Sequence, residues 1–204
     1  MNHDCLGIDR IAFFGRTYDE YRKIFDLSES DLRSGPILDC PAGASSFTAE
    51  AHKKDLGVTA CDILYNLSAD ELLRRCRNDM QHVFERFDEA AHLYVWNYYK
   101  NKNDVMELRA RAIEMFIDDF SDKKQQERYI HAELPHLPFE DEVFSLVLSG
   151  HFLFLYGDRL DLDFHKSCLM ELVRVSAGEV RIYPLQGLDA KPYPFMADIL
   201  NFLK

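Results

Sequence analysis

Short, nearly continuous apolar segments alternate along the chain with longer segments whose apolar residues recur at helical spacing. The first kind is typical of buried strands and the second of helices that cover a sheet. The strand-like segments lie at residues 36–39, 58–61, 129–133, 144–149 and 179–183. The helix-like segments lie at residues 8–27, 46–54 and 163–173, with a short apolar one within 191–204. This order predicts an α/β fold with a mostly parallel sheet and helices on both faces.

Residues 63–128 interrupt this alternation. Ser68 and Glu71 form a capping box that predicts a long amphipathic helix, and Asp104 is a candidate cap for a second one. The excursion is far longer than the usual connection between neighbouring strands. We therefore predict a helical insertion after strand two that acts as a lid or substrate subdomain. Residues 1–62 and 129–204 are predicted to form the main domain.

Charge and composition exclude several classes of partner. The formal net charge is −11 and no block of Lys and Arg stands out, so nucleic acid is not an expected partner. The five cysteines form no C-x-x-C pair, which favours reduced thiols in a cytosolic protein. The chain starts without a signal-peptide pattern, and its longest apolar run, residues 143–156, is too short to span a bilayer. We expect a cytoplasmic protein without a membrane partner.

Two acids close the first two predicted strands. Asp39 ends strand one and Asp62 ends strand two, so adjacent parallel strands would place both at the sheet edge where ligands bind. A carboxylate there can accept the hydroxyls of a ribose, while a turn or N-cap role is the alternative for Asp62. The turn after strand one carries a single glycine, Gly43. One glycine rather than three suits a ligand without a pyrophosphate, such as S-adenosylmethionine (SAM).

Five segments in this order carry a family resemblance. They are Asp39-Cys40-Pro41-Ala42-Gly43, Asp62, Glu133 before Leu137-Pro138-Phe139, residues 139–149, and Glu171-Leu172-Val173-Arg174-Val175 with Gly178. Over residues 33–184 the chain resembles the class I SAM-dependent methyltransferases. The resemblance implies a Rossmann-like fold, SAM as cofactor, S-adenosylhomocysteine as product and a small-molecule methyl acceptor.

The resemblance also implies roles for individual residues. The implied cofactor-binding residues are Asp39, Ala42, Gly43, Ser45, Asp62, Glu133, Leu134, Ser149, Arg16 and Tyr18. Gly43 would let the backbone approach the methionine part, and amides at Ser45 and Ser46 would face its carboxylate. Glu133 and Leu134 would lie beside the adenine. Arg16 and Tyr18 either fold over the carboxylate or begin a helix that packs on the sheet.

Three further groups have an open interpretation. His151, after strand four, is the candidate general base, with a packed or cofactor-contacting histidine as the alternative. The aromatic patch of Tyr94, Trp96, Tyr98 and Tyr99 lines an acceptor pocket or forms the core of the insertion. The acidic and histidine side chains near residue 163 resemble a metal cluster only loosely, and Asp163 is a candidate helix N-cap.

Two features favour an alternative function. Ser145 stands where the family's fourth strand usually has an acid, and the family's final antiparallel hairpin is expected to be missing after strand five. A non-catalytic SAM-binding or interaction protein is therefore the alternative hypothesis. A nicotinamide-dependent oxidoreductase is a third, which the single-glycine turn disfavours. An uncovered strand five would also leave a sheet edge through which a homodimer could form.

Overall fold

The computed structural model describes residues 8–93 and 96–204, and these contain one sheet of five parallel strands. The strands are β1 (Ile37–Asp39), β2 (Val58–Asp62), β3 (Tyr129–His131), β4 (Phe144–Gly150) and β5 (Ser176–Tyr183). Their order is β3-β2-β1-β4-β5, and every neighbouring pair is parallel. The predicted α/β class is confirmed, and the arrangement is Rossmann-like.

Helices cover both faces of this sheet, as predicted. They are α1 (Tyr18–Ile24), α2 (Glu29–Arg33), α3 (Phe47–His52), α4 (Ala69–Ala90), α5 (Lys102–Ser121), α6 (Leu162–Arg174) and α7 (Met196–Phe202). On one face Ile37 and Leu148 pack with residues of α1 and α3, and on the other Leu38 and Val147 pack with residues of α6. Within the described ranges, none of these helices combines the length and the apolar character needed to cross a bilayer.

The segment of residues 8–17, here called the strap, is not helical, although residues 8–27 were predicted to form one helix. Thr17 and Glu20 form a capping box in which the Thr17 side chain accepts from the Glu20 amide, so the helix begins only after Thr17. The strap's amides bond to distant side chains instead. Phe13 N donates to the Asp79 carboxylate over 2.8 Å, and Ala12 N donates to the Tyr156 hydroxyl over 3.0 Å. Tertiary contacts therefore replace the helical hydrogen bonds of this segment.

Two strand boundaries also differ from the prediction. β5 begins at Ser176 rather than at residue 179, and its pairing with β4 has a register irregularity between Ser176 and Glu179. A Cβ on Gly178 would lie 2.4 Å from the Ser145 carbonyl oxygen, so only glycine fits this close approach. β3 ends at His131 rather than at residue 133.

Two helix caps also differ from the prediction. The N-cap of α6 is Asp161, not Asp163, because the Asp161 side chain accepts from the Phe164 amide. Asn101 rather than Asp104 caps α5, accepting from the Asp104 amide over 3.0 Å. In each case the capping side chain lies three residues before the amide it caps, which is the usual N-cap geometry.

The two long helices α4 and α5 follow β2 and pack directly on the sheet. Ser68 caps α4 through the predicted capping box with Glu71. The apolar side of α5 joins a buried cluster with residues of the strap, β2 and β3, among them Phe13, Ala60 and Tyr129. The division into a main domain and a separate insertion subdomain remains a prediction.

A buried ion pair joins three of these elements. Glu20 on α1 and Arg109 on α5 are both almost fully buried and bonded through both guanidinium Nη atoms. Arg109 Nη1 also donates to the Gly15 carbonyl oxygen of the strap over 3.1 Å. Burial alone would raise the pKa of Glu20, but the hydrogen bonds and charge of Arg109 lower it to about 2. The pair therefore stays ionised at neutral pH and ties the strap to both helices.

Arg109→Met should lower the free energy of unfolding by about 3–5 kcal/mol, because it leaves a buried Glu20 carboxylate without its partner. Urea unfolding followed by circular dichroism measures the change. Arg111→Met is the matched control on the same helix, since Arg111 is 59 % exposed and 4.0 Å from Glu50. The control should stay within about 0.5 kcal/mol of the wild type. Equal costs for the two variants would contradict this role of Arg109.

Gly15→Ala should displace the strap. An added Cβ would lie 2.1 Å from Ser45 N and 2.2 Å from the Ala44 carbonyl carbon, both backbone atoms that cannot rotate away. We expect a loss of about 3 kcal/mol or more in unfolding free energy. Gly57→Ala is the control, since no atom lies within 4 Å of its added Cβ, and it should be neutral or slightly stabilising. A Gly15→Ala protein as stable as the control would show that the strap does not rest on this contact.

Candidate functional site

A large cavity of about 810 Å³ opens at the carboxyl ends of the strands. Its walls come from the strap, the turn after β1, the start of the connection after β2, helices α4 and α5, and the loop after β5. This is the position at which open parallel sheets bind ligands. The predicted site residues that line it are Arg16, Ala42, Gly43, Asp62, Glu133, Leu134 and His151.

Asp62 lies in the wall of the cavity at the end of β2. Its Oδ2 accepts from Gly43 N over 3.0 Å, and its Oδ1 accepts from Leu64 N over 2.9 Å. Burial raises the pKa of Asp62 to about 6, although the two amides act in the opposite direction. Each carboxylate oxygen keeps a second acceptor position, so the group can still receive two hydroxyls from a ligand.

The turn after β1 is built by glycines on two segments. Gly43 has a φ of +58°, in the left-handed region that favours glycine, and its carbonyl accepts from the Tyr65 hydroxyl over 2.7 Å. Gly15 of the strap lies against the backbone of Ala44 and Ser45, and only a residue without a Cβ can approach so closely. The strap therefore forms a second layer directly on the turn.

The amides at the start of α3 already have acceptors. Ser46 N donates to the Arg16 carbonyl over 3.1 Å, and Phe47 N donates to Ser45 Oγ over 3.0 Å. Ser45 Oγ donates in turn to the Arg16 carbonyl over 3.0 Å. The strap thus occupies the position at which Ser45 and Ser46 were expected to hold a ligand carboxylate. A ligand carboxylate would have to be held by another group, and the Arg16 guanidinium lines the cavity.

Asp39, Ser149 and Tyr18 do not line the cavity. Asp39 follows Ile37 by two positions and shares its face, where the Tyr21 hydroxyl donates to it over 3.1 Å. Burial raises the pKa of Asp39 well above its usual range. Its Oδ2 and the Ser149 hydroxyl are buried without a partner among the described residues.

Tyr18 has the second of its two predicted roles. Its ring is buried and stacks on Phe47, with centroids 5.5 Å apart, and the Lys54 ammonium lies 5.3 Å from the ring centre. The side chain therefore packs α1 onto α3 and does not reach the cavity. Arg16 differs: it lines the cavity, lies over the Phe14 ring and approaches Glu20 to 3.9 Å.

Arg109, which the sequence did not single out, and Tyr99 of the predicted aromatic patch complete this part of the wall. Arg109 and Tyr99 line the cavity, and Tyr99 donates its hydroxyl to Glu20 while it accepts from Arg109. With Arg16, two guanidinium groups lie near the Glu20 carboxylate. A signal for Arg109 existed: it occupies the stripe of Val105, Ala112 and Phe116, which is otherwise apolar.

His151 lies at the end of β4 and lines the cavity, as expected for a general base. Its φ of +54° is unusual for a residue with a side chain, and its amide donates to the Tyr183 carbonyl oxygen over 2.6 Å. Its ring meets the edge of Tyr183, with centroids 5.3 Å apart. Burial, with the charges of Arg16 and Arg109, lowers the pKa of His151 well below its usual value. The imidazole is therefore neutral at pH 7.

The far wall of the cavity is apolar. It consists of Ile8, Ile11, Val83, Phe84, Phe87 and Val105, contributed by the strap, α4 and α5. Of the predicted aromatic patch, Tyr99 lines the cavity, Trp96 and Tyr98 are partly exposed, and Tyr94 lies outside the described residues. The cavity therefore joins a polar end at β1 and β2 to an apolar end under the strap.

The side chains near residue 163 have structural roles. The ring nitrogens of His165 lie 2.6 and 3.1 Å from the carbonyl oxygens of Asp161 and Leu153, and its ring stacks between Phe154 and Tyr193. Among the described residues, no group of three or more His, Cys, Asp or Glu side chains is arranged to hold a metal ion.

Comparisons with known proteins place the chain in a family. No family model matches the sequence, and no solved structure matches it. The chain is 36 % identical over 203 residues to the uncharacterised protein MJ0045 of Methanocaldococcus jannaschii, an alignment that covers 98 % of this chain and 89 % of the archaeal protein. An identity of this size over nearly the whole of both chains means that the protein belongs to the same family as MJ0045.

Proposed function

We propose that this protein is a SAM-dependent methyltransferase that acts on a small-molecule acceptor. The observation that carries the proposal is the convergence of the Gly43 turn and the Asp62 carboxylate on one large cavity at the carboxyl ends of β1 and β2. A carboxylate at the second strand and a glycine turn at the first fit a nucleoside with an attached amino acid.

Residues of the cavity wall match the parts of SAM. Asp62 would accept the ribose hydroxyls, and the exposed Glu133 with the buried Leu134 would flank the adenine. The Arg16 guanidinium would hold the carboxylate, because the α3 amides are already bonded within the protein. A volume of about 810 Å³ lies within the range of small-molecule and cofactor sites, and the apolar end is the candidate place for the acceptor.

SAM supplies, when bound, a methyl group on a sulfonium, and its transfer to a nucleophile leaves S-adenosylhomocysteine. The protein's own task is to exclude water, to orient the acceptor and to receive its proton. His151 is neutral and lines the cavity, so its imidazole can accept that proton. The apolar side chains of α4, α5 and the strap favour an acceptor with a hydrophobic body.

A dinucleotide ligand is a poorer match. In dinucleotide sites the backbone amides of the first turn face a pyrophosphate. Here Gly43 N donates to Asp62, Ser45 N donates to the Ala42 carbonyl and Ser46 N donates to the Arg16 carbonyl. These three amides are used within the protein, which disfavours a nicotinamide-dependent oxidoreductase.

Isothermal titration of the wild type should give saturable binding of SAM and S-adenosylhomocysteine but not of NADH. Asp62→Ala should weaken binding of both adenosyl ligands about tenfold to a hundredfold, the size expected for hydrogen bonds to a charged acceptor. Asp55→Asn is the control, since Asp55 is exposed and its φ of +58° suits asparagine. Absence of SAM binding to the folded wild type would reject the proposal, and unchanged binding by Asp62→Ala would remove Asp62 from the site.

Binding should also depend on pH through Asp62. The ionised carboxylate is the better acceptor, and its pKa of about 6 means that the group takes up a proton as the pH falls through 6. Affinity for S-adenosylhomocysteine should therefore be about tenfold lower near pH 5 than near pH 7.5 in the wild type. The Asp62→Ala protein should show a flat profile over this range. Parallel profiles for the two proteins would assign the pH dependence to another group.

Turnover separates an enzyme from a non-catalytic SAM-binding protein. Methyl-labelled SAM incubated with a small-molecule extract should transfer label to a metabolite, and His151→Asn should slow transfer about 10²-fold or more. Asparagine tolerates the left-handed backbone of this position but cannot act as a base. Binding of S-adenosylhomocysteine by His151→Asn should change by less than about threefold, because the change targets proton transfer. SAM binding without transfer to any fraction would support the non-catalytic alternative.

A further inference from the structure

The outer edge of β5 is an unpaired strand edge. β5 pairs with β4 on one side, and within the described ranges no strand pairs with its other side. Gly178, Glu179 and Tyr183 are exposed, and the register with β4 is regular from Glu179 to Tyr183. Such an edge presents free hydrogen-bonding groups to another strand.

The backbone geometry identifies which groups face outward. The Tyr183 carbonyl accepts from His151 N after β4, so the backbone groups of Tyr183 point toward β4. The backbone groups of successive strand residues point alternately to the two sides. The N–H and C=O groups of Glu179 and Arg181 therefore also point toward β4, whereas those of Val180 and Ile182 point to the open edge. Any added strand must bond to these two residues.

We propose that this edge is the two-fold interface of a homodimer, in which two β5 strands pair antiparallel about Val180. This register places Val180 opposite Val180 of the partner subunit as a hydrogen-bonded pair. A two-fold axis at Glu179 or Arg181 would instead place like charges opposite each other and would centre on an inward-facing residue. An axis at Ile182 would bring Pro184, which has no N–H, into the ladder.

Charge and size are self-complementary in the proposed register. Glu179 lies opposite Arg181 of the partner subunit, and Arg181 lies opposite the partner's Glu179. Within one chain these two side chains already form an ion pair of 2.7 Å on the same face, which also includes Asp31. The dimer would join the two pairs into one alternating row of charges. Beyond the regular part of the strand, the small Ala177 and Gly178 of the partner subunit would lie next to Tyr183 and Ile182.

The helices that flank β5 also carry exposed apolar side chains. Val180 and Ile182 point to the same face as α6 and α7 and pack against the cluster that contains Leu172 and Ile199. On this face Met170, Val173 and Leu200 are about half exposed. Strand pairing across a two-fold axis brings the helices that flank the paired strands toward their symmetry mates, which would cover such side chains.

Sedimentation equilibrium of the full chain tests the oligomeric state. The wild type should be a dimer in the micromolar range. Val180→Pro should be a monomer, because proline removes an outward N–H without removing a bond to β4. His131→Pro is the matched control on β3: Ala132 N donates to Asp62, so His131 faces the other open edge. This control should remain a dimer. A monomeric wild type, or a dimer that survives Val180→Pro, would overturn the proposal.

Reciprocal charge changes test the register itself. Glu179→Arg and Arg181→Glu should each lose the dimer, because each places like charges opposite each other twice. Mixed in equal amounts, the two variants should form a heterodimer, since both charged pairs are then opposite in sign. Heterodimers are detected by a mass tag on one variant. If either variant dimerises alone as the wild type does, the register is wrong. If Arg181→Glu does not fold, as judged by circular dichroism, the result with Glu179→Arg and Val180→Pro decides.

Discussion

The negative charge of Glu20 is the constraint on which the architecture of the cavity depends. An ionised carboxylate in this buried position is stable only with a partner of opposite charge, and the Arg109 guanidinium on α5 is that partner. Because the folded pKa of about 2 lies below the ordinary value of 4.5, ionisation of Glu20 favours the folded state. That contribution is present above the ordinary pKa and is lost as the pH falls toward 2. One charge thereby holds α5 against α1 and the strap, although α5 is distant from both in sequence.

The strands could be predicted from sequence because burial on both faces leaves a simple pattern. Ile37 and Leu38 are both fully buried, one on each face, so β1 reads as a continuous apolar run. The strap could not be predicted in the same way. Ile8, Ile11 and Ala12 follow the i, i+3, i+4 spacing of a helix, yet all three line the cavity from a segment that is not helical. Its hydrogen-bond partners lie on α4 and beyond β4, and no local pattern encodes them.

The candidate site was predictable only to the level of strand ends. Asp62 and Gly43 reach the cavity because both follow directly from the ends of parallel strands. Asp39 has an equally good sequence signal, but the alternation of side chains in β1 turns it toward α1. The Arg16 carbonyl accepts from the Ser46 amide at the start of α3 only because of the path of the strap. This hydrogen bond could therefore not be predicted from the sequence. Arg109 is the one long-range feature named here that the sequence could have predicted, because a charged residue within an apolar helical stripe indicates a buried partner of opposite charge.

The fixed path of the strap limits where ligands can enter and leave the cavity. Its backbone is bonded at Ala12, Phe13, Gly15 and Arg16 to four different parts of the molecule. Displacing the strap would break all of these hydrogen bonds together, so we expect it to stay in place rather than to open and close over the cavity. Ligands must then enter where lining side chains are exposed, as Ile63, Glu133, Tyr183 and Gln186 are. A long ligand that enters there would have one end near the exposed lining residues and the other end under the strap.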